Sequence, residues 1–68
     1  MQIFINGKKT QLEEGTSLQS VMEKKAMSGG RAVAELNEQI IAKEVWPKTA
    51  LKENDMLEIV TFMGGGSK

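Results

Sequence analysis

"MLEIVTF", Met56 to Phe62, is the stretch on which the fold turns. Leu57, Ile59 and Thr61 alternate with Met56, Glu58, Val60 and Phe62, the two-residue period of a β-strand. It is the most apolar strand-like run in the chain, so its expected place is the middle of a sheet. The natural neighbour is the opening run "MQIFIN", where Met1, Ile3 and Ile5 alternate with Gln2, Phe4 and Asn6. Asn6-Gly7 is a two-residue hairpin signal, because both positions tolerate positive φ. "KKTQLE", Lys8 to Glu13, then returns as the antiparallel partner.

Glu14-Gly15 breaks that strand, and "TSLQSVMEKKAM", Thr16 to Met27, reads as the main helix. Thr16 is the expected cap, with Gln19 three residues on at the capping-box spacing. Leu18, Val21 and Met22 form the apolar stripe, with the stem of Lys25 at its edge. Ser28-Gly29-Gly30 accepts the left-handed geometry that ends a helix. It resembles a phosphate loop only superficially, since no helix follows it. "RAVAEL" is a third strand, Asn37-Glu38 a turn, and "QIIA" a short fourth strand. "KEVWP" reads as an irregular turn, because Pro47 disfavours a helical Trp46. Trp46 itself is expected to pack over the sheet edge. "KTAL" reads as briefly extended, and Lys52 to Asp55 as a turn by composition.

A helix that follows a hairpin must lay its stripe across one face of the sheet. With the first and last strands side by side and parallel, the expected fold class is α+β. It is a β-grasp, or ubiquitin-like, roll: a mixed sheet of four to five strands with one main helix across one face. Residues 1–63 form the β-grasp domain and 64–68 a flexible Gly-rich tail.

Composition narrows the function. A chain of 68 residues is one domain, and at this size only about 60% of the unfolded surface is buried. It has no cysteine and no histidine, hence no thiol chemistry and neither the usual general base nor the commonest metal ligand. Nine basic and nine acidic residues give no pull towards nucleic acid or anionic membranes. Phe4, Phe62 and Trp46 are too few for a base-stacking platform. No run approaches the roughly 20 apolar residues of a membrane span. The N-terminus lacks the order of a signal peptide, so the chain reads as complete from Met1 and cytoplasmic. A catalytic site needs an activated nucleophile or a tuned acid/base pair in a pocket, and scattered carboxylates among lysines supply neither. The protein is expected not to be an enzyme and to hold no metal or cofactor of its own.

The chain closes on "TFMGGGSK", Thr61 to Lys68. By composition alone Gly64, Gly65 and Gly66 suit a linker or a frayed end. Their setting reads otherwise. The opening "MQIFINGK", the middle "ELNEQIIAKEVW", the strand entry "ENDMLEIV" and the end "TFMGGG" together resemble the ThiS family of sulfur carriers, small β-grasp proteins of thiamin biosynthesis related to MoaD. The resemblance covers nearly the whole chain. It implies that an E1-like (ThiF-like) enzyme adenylates a C-terminal glycine carboxylate with ATP. The acyl-adenylate then becomes a thiocarboxylate, with sulfur supplied from cysteine by a desulfurase, and a thiazole synthase receives the sulfur. By position Gly65 and Gly66 match the family's Gly-Gly, Gly66 is the reactive residue, and Gly64 is a spacer.

Such an end must be thin and extended to reach ATP in another protein's pocket, and glycine permits that approach. Ordering it costs about 1–2 kcal/mol per residue, so a docking surface must offset the cost. Phe4, Val60, Phe62 and Met63 are the expected partner-binding residues. Alternation alone does not say which face is buried, so Phe4 and Phe62 belong either to the core or to an exposed face. Ser67-Lys68 departs from the family pattern, in which the glycine carboxylate is free. A processing protease, a remnant of an expression vector and loss of carrier activity are the competing explanations. Two other functions fit the same fold. One is a non-catalytic ubiquitin-like binding module; the other is a carrier for a different pathway, molybdopterin or sulfur amino acid synthesis.

Overall fold

The computed structural model describes residues 1–25 and 31–62, the last of them, Phe62, by its backbone alone. Five strands and one α-helix appear in the order β1 (Gln2–Ile5), β2 (Lys8–Gln11), α1 (Leu18–Lys25), β3 (Arg31–Leu36), β4 (Gln39–Ile41) and β5 (Met56–Phe62), with a 3-10 helix (Lys43–Lys48) before β5. The sheet runs β2-β1-β5-β3-β4. β1 and β5 are parallel, Phe4 beside Met56 and Ile5 beside Leu57. The other three pairings are antiparallel, so the sheet is mixed. The expected α+β β-grasp is borne out, with the last strand in the middle.

Both hairpins are closed by turns with positive φ at two successive residues. Asn6 and Gly7 have φ 51° and 83°, and Asn37 and Glu38 have 49° and 71°. Such turns match the right-handed twist of the strands they join. The two asparagines do further work on β5. The Asn6 side chain accepts from the Ile59 N–H through Oδ1 (2.7 Å) and donates to the Ile59 carbonyl through Nδ2 (3.3 Å). The Asn37 Oδ1 accepts from the Met56 N–H (2.9 Å), and its Nδ2 donates to Asp55 Oδ1 (3.0 Å).

The core lies between one sheet face and α1. Ile3, Leu18 and Leu57 are wholly buried, joined by Ile5, Val21, Met22, Ala34, Trp46 and Leu51. The stripe Leu18, Val21, Met22 is thus buried as expected, and Lys25 is exposed. Trp46 is buried in the 3-10 helix and donates its indole N–H to the Ile41 carbonyl at 2.9 Å, so it does pack beside the edge strand β4.

Two local expectations are corrected. The helix begins at Leu18, and its cap is Ser17, whose Oγ accepts from the Ser20 N–H at 3.2 Å. Thr16 is not the cap: its hydroxyl donates back to the Glu13 carbonyl at 2.6 Å. A bridge of Ser17 with Ala50 and the bond from the Leu51 N–H to the Thr16 carbonyl (2.9 Å) hold Thr16 in an extended segment. Gln19 turns instead to Glu23, one turn on, at 2.8 Å. The second correction is "KEVWP", a 3-10 helix rather than an irregular turn. Pro47 has no N–H to give, and the segment is closed at its ends by Val45 N–H to Ala42 O (3.0 Å) and Thr49 N–H to Trp46 O (3.2 Å). The helix end expected at Ser28-Gly29-Gly30 lies outside the described residues.

Candidate functional site: the end of β5 and the open sheet face

β5 is seven residues long, but β1 runs beside it only at Met56 and Leu57. Past that point the Asn6 side chain takes over the backbone groups of Ile59. Six register pairs hold β5 to β3 on its other side, from Leu57 opposite Leu36 to Phe62 opposite Arg31. The described chain therefore ends on the central strand, held along one side by β3. Met63, Gly64, Gly65 and Gly66, together with the expected tail 64–68, lie outside the described residues.

The face turned away from α1 carries the residues that alternate with the core set. Phe4 is half-buried there, and Val60 is 50% exposed. They are separated along the sheet: Phe4 stands beside Met56, and Val60 opposite Val33. Phe62 closes the strand opposite Arg31, with its backbone alone described. Two apolar members of the face were not singled out from sequence. Met56 is 60% exposed and bridges Phe4 to the rest of β5, and Ile40, on β4, is 73% exposed. Met56 could have been found by continuing the alternation of "MLEIVTF" back from Val60. Ile40 could not, because its exposure follows from the β3–β4 register set by the Asn37-Glu38 turn. The face thus carries exposed aliphatic surface among four charged residues, Lys9, Arg31, Glu35 and Glu58.

Among the described residues no group of three or more Asp, Glu, His or Cys is arranged to hold a metal ion, and no helix is long and apolar enough to cross a membrane. A depression of about 520 Å³ lies by β2 and the start of α1, lined by Gln11, Thr16, Ser20 and Lys24 among others. Neither Phe4 nor Val60 lines it, and its titratable lining groups are Glu13 and Lys24.

The family model described as the ThiS family matches residues 2–66. The chain belongs to the ThiS family. The resemblance read from its motifs is borne out. The chain is 32% identical to the sulfur carrier protein ThiS of Bacillus subtilis over 63 residues, covering 91% of this chain and 96% of that one. It is 29% identical over 66 residues to a thiazole synthase of Magnetococcus marinus, covering 97% of this chain. It spans only 20% of that synthase's length, and 21% of the thiazole synthase of Paramagnetospirillum magneticum. The crystal structure of thiamine biosynthesis protein ThiS from Geobacter metallireducens superposes with a TM-score of 0.80 at 28% identity, over 97% of this chain and all of that one.

Proposed function

We propose that the protein carries sulfur for thiazole formation in thiamin biosynthesis as a thiocarboxylate on Gly66. The observation that carries this reading is the extent of the family match, which ends at Gly66, four residues beyond the last residue of β5. The chemistry begins with a poor electrophile, a carboxylate. Its oxygen attacks the α-phosphate of ATP held by a ThiF-like adenylating enzyme, and pyrophosphate leaves. The resulting acyl-adenylate has a good leaving group. A persulfide, its outer sulfur taken from cysteine by a desulfurase, attacks the carbonyl carbon and AMP departs; a second thiol of the partner then cleaves the acyl disulfide, releasing the thiocarboxylate as the two partner sulfurs close into a disulfide. This chain supplies only the substrate end and a handle; ATP is bound by the partner. Gly65 and Gly64 keep the end narrow enough to enter the partner's site.

The reading requires a free carboxylate at Gly66, hence hydrolysis of the Gly66–Ser67 bond by a processing protease. The thiazole synthase is the proposed recipient of the sulfur, a choice supported by the similarity to two thiazole synthases. Phe4, Val60, Phe62 and Met63 are proposed to dock these partners through the open face. The setting proposed is the cytoplasm.

Intact-mass measurement of the untagged protein from its native host tests the reading directly. The expected species ends at Gly66, with a fraction heavier by the exchange of one oxygen for sulfur. A single species that retains Ser67-Lys68, in cells actively making thiamin, would instead favour a ubiquitin-like binding module that never carries sulfur.

A further inference from the structure

We propose that Asn6 is a site of spontaneous deamidation, closed while its side chain clasps β5 and open when the clasp lets go. Asn6 precedes Gly7, and glycine, with no Cβ, is the neighbour that least hinders attack on an asparagine side chain. The space around Gly7 is open, with no atom within 4 Å of where a Cβ would stand. The chain's other asparagines, Asn37 and Asn54, are followed by Glu38 and Asp55, whose side chains crowd the same approach. The Asp55 N–H is moreover bound to the Lys52 carbonyl at 3.0 Å, whereas no described group accepts from the Gly7 N–H. In the reaction the Gly7 nitrogen gives its proton to solvent and bonds to Asn6 Cγ. The Cγ–Nδ2 bond breaks, and Nδ2 takes up a proton and leaves as ammonia. Water then opens the cyclic imide at one carbonyl or the other, leaving aspartate or isoaspartate.

The folded geometry withholds this reaction. With φ 51° at Asn6 and 83° at Gly7, the chain is in the primed turn of a two-residue hairpin. Ring closure demands a different ψ at Asn6 and a side chain swung back over its own main chain. Instead both ends of the amide are spent on a residue 53 positions away. Oδ1 accepts from the Ile59 N–H at 2.7 Å, and Nδ2 donates to the Ile59 carbonyl at 3.3 Å. Attack therefore waits for local opening. Afterwards the clasp cannot close as before. An aspartate carboxylate still accepts from the Ile59 N–H but has no hydrogen to give, so an oxygen faces the Ile59 carbonyl. Isoaspartate adds a methylene to the main chain of a tight turn. β1 pairs with β5 at Met56 and Leu57 alone, so without the clasp the rest of β5 is left to β3. The modification is one-way and records how often this part of β5 has come loose. The site stands whether or not the chain carries sulfur.

The test incubates the full chain in mildly alkaline buffer, folded and in urea, and follows each asparagine by peptide mapping. An isoaspartate-directed carboxyl methyltransferase gives a second readout. In urea Asn6 should react at least about tenfold faster than Asn37 or Asn54. In the folded chain its rate should fall at least about tenfold. That fall should be no smaller than the hydrogen-exchange protection of the Ile59 amide, because the reaction needs the bond shielding that amide to open. Asn6→Asp, which mimics one product, should exchange the Ile59 amide about tenfold faster than the parent and unfold at lower urea. A folded chain modified as fast as the unfolded one would overturn the protected site, and so would a rate in urea no higher at Asn6 than at the other two. A fall smaller than the Ile59 protection would mean attack with the clasp closed and overturn the gate. An Ile59 amide equally protected in Asn6→Asp would overturn the one-way loosening. The parent's own rates decide the gate even if Asn6→Asp does not fold.

Discussion

Asn6 and Glu38 occupy equivalent kinds of turn yet predict opposite responses to the same substitution. Glu38 holds φ 71° with a full side chain, a conformation that costs a non-glycine residue about 1–2 kcal/mol. Part of that is offset by glycine's freer unfolded chain, so Glu38→Gly is expected to stabilise the protein by about 0.5–1 kcal/mol. Asn6 also has positive φ, 51°, but its side chain replaces a missing strand beside Ile59. Asn6→Gly keeps the turn and removes the clasp. It should destabilise by about 1 kcal/mol, the net worth of the hydrogen bonding lost. Urea unfolding of the two variants checks the pair. A gain in both would mean that Asn6 matters only for its φ. At this scale the sequence was partly legible. Asn6-Gly7 announces its turn, whereas nothing in the local sequence says that the Asn6 amide will reach a residue 53 positions away.

At the scale of elements, β5 joins the fold to the site. Its inward residues Leu57 and Ile59 pack on the core while Met56 and Val60 face out. Truncating the outward set should therefore separate docking from folding. Phe4→Ala and Val60→Ala are each expected to raise the KM for adenylation by about tenfold, in the range of a typical interface anchor. Val60→Ala should leave the melting curve within about 0.5 kcal/mol of the parent, as exposed sites do. Unaltered KM in both would remove the open face from the docking scheme. Alternation made β1, β3 and β5 readable, because a buried face imposes it residue by residue. The start of α1 was not readable in the same way. Thr16 and Ser17 are equally good caps by type, and the Ser17–Ala50 bridge, formed with a segment far along the chain, decides between them.

Taken whole, the molecule rests on few side chains. A domain of this length has about 3–10 kcal/mol of stability at ordinary values per residue. Leu57 is 1% exposed near the start of the central strand, and Leu→Ala at such a site costs about 2–5 kcal/mol. Leu57→Ala should accordingly lower the urea midpoint sharply and populate unfolded protein at 37 °C. By contrast Ile40→Thr, at a 73% exposed edge position, should move it little. Equal effects of the two would mean that the core is not where burial places it. The whole-molecule architecture was legible because the order hairpin, helix, strands leaves one compact way to cover both the helix stripe and the last strand. The glycine run lies outside the described residues, and its reading rests on its setting alone: a glycine run specifies no contacts, so only the motifs before it give it meaning.

The placement of β5 also has a consequence in time. It is the last of the five described strands in chain order and the one that must be inserted between β1 and β3, which until then have no common neighbour. The sheet stays in two halves until residue 62 has emerged, so folding waits on long-range pairing between the two ends of the domain. Until then the face that carries Met56 and Val60 is not assembled. On the proposed carrier role, an adenylating enzyme that recognises this face would act only on a chain whose two ends have already met in the sheet.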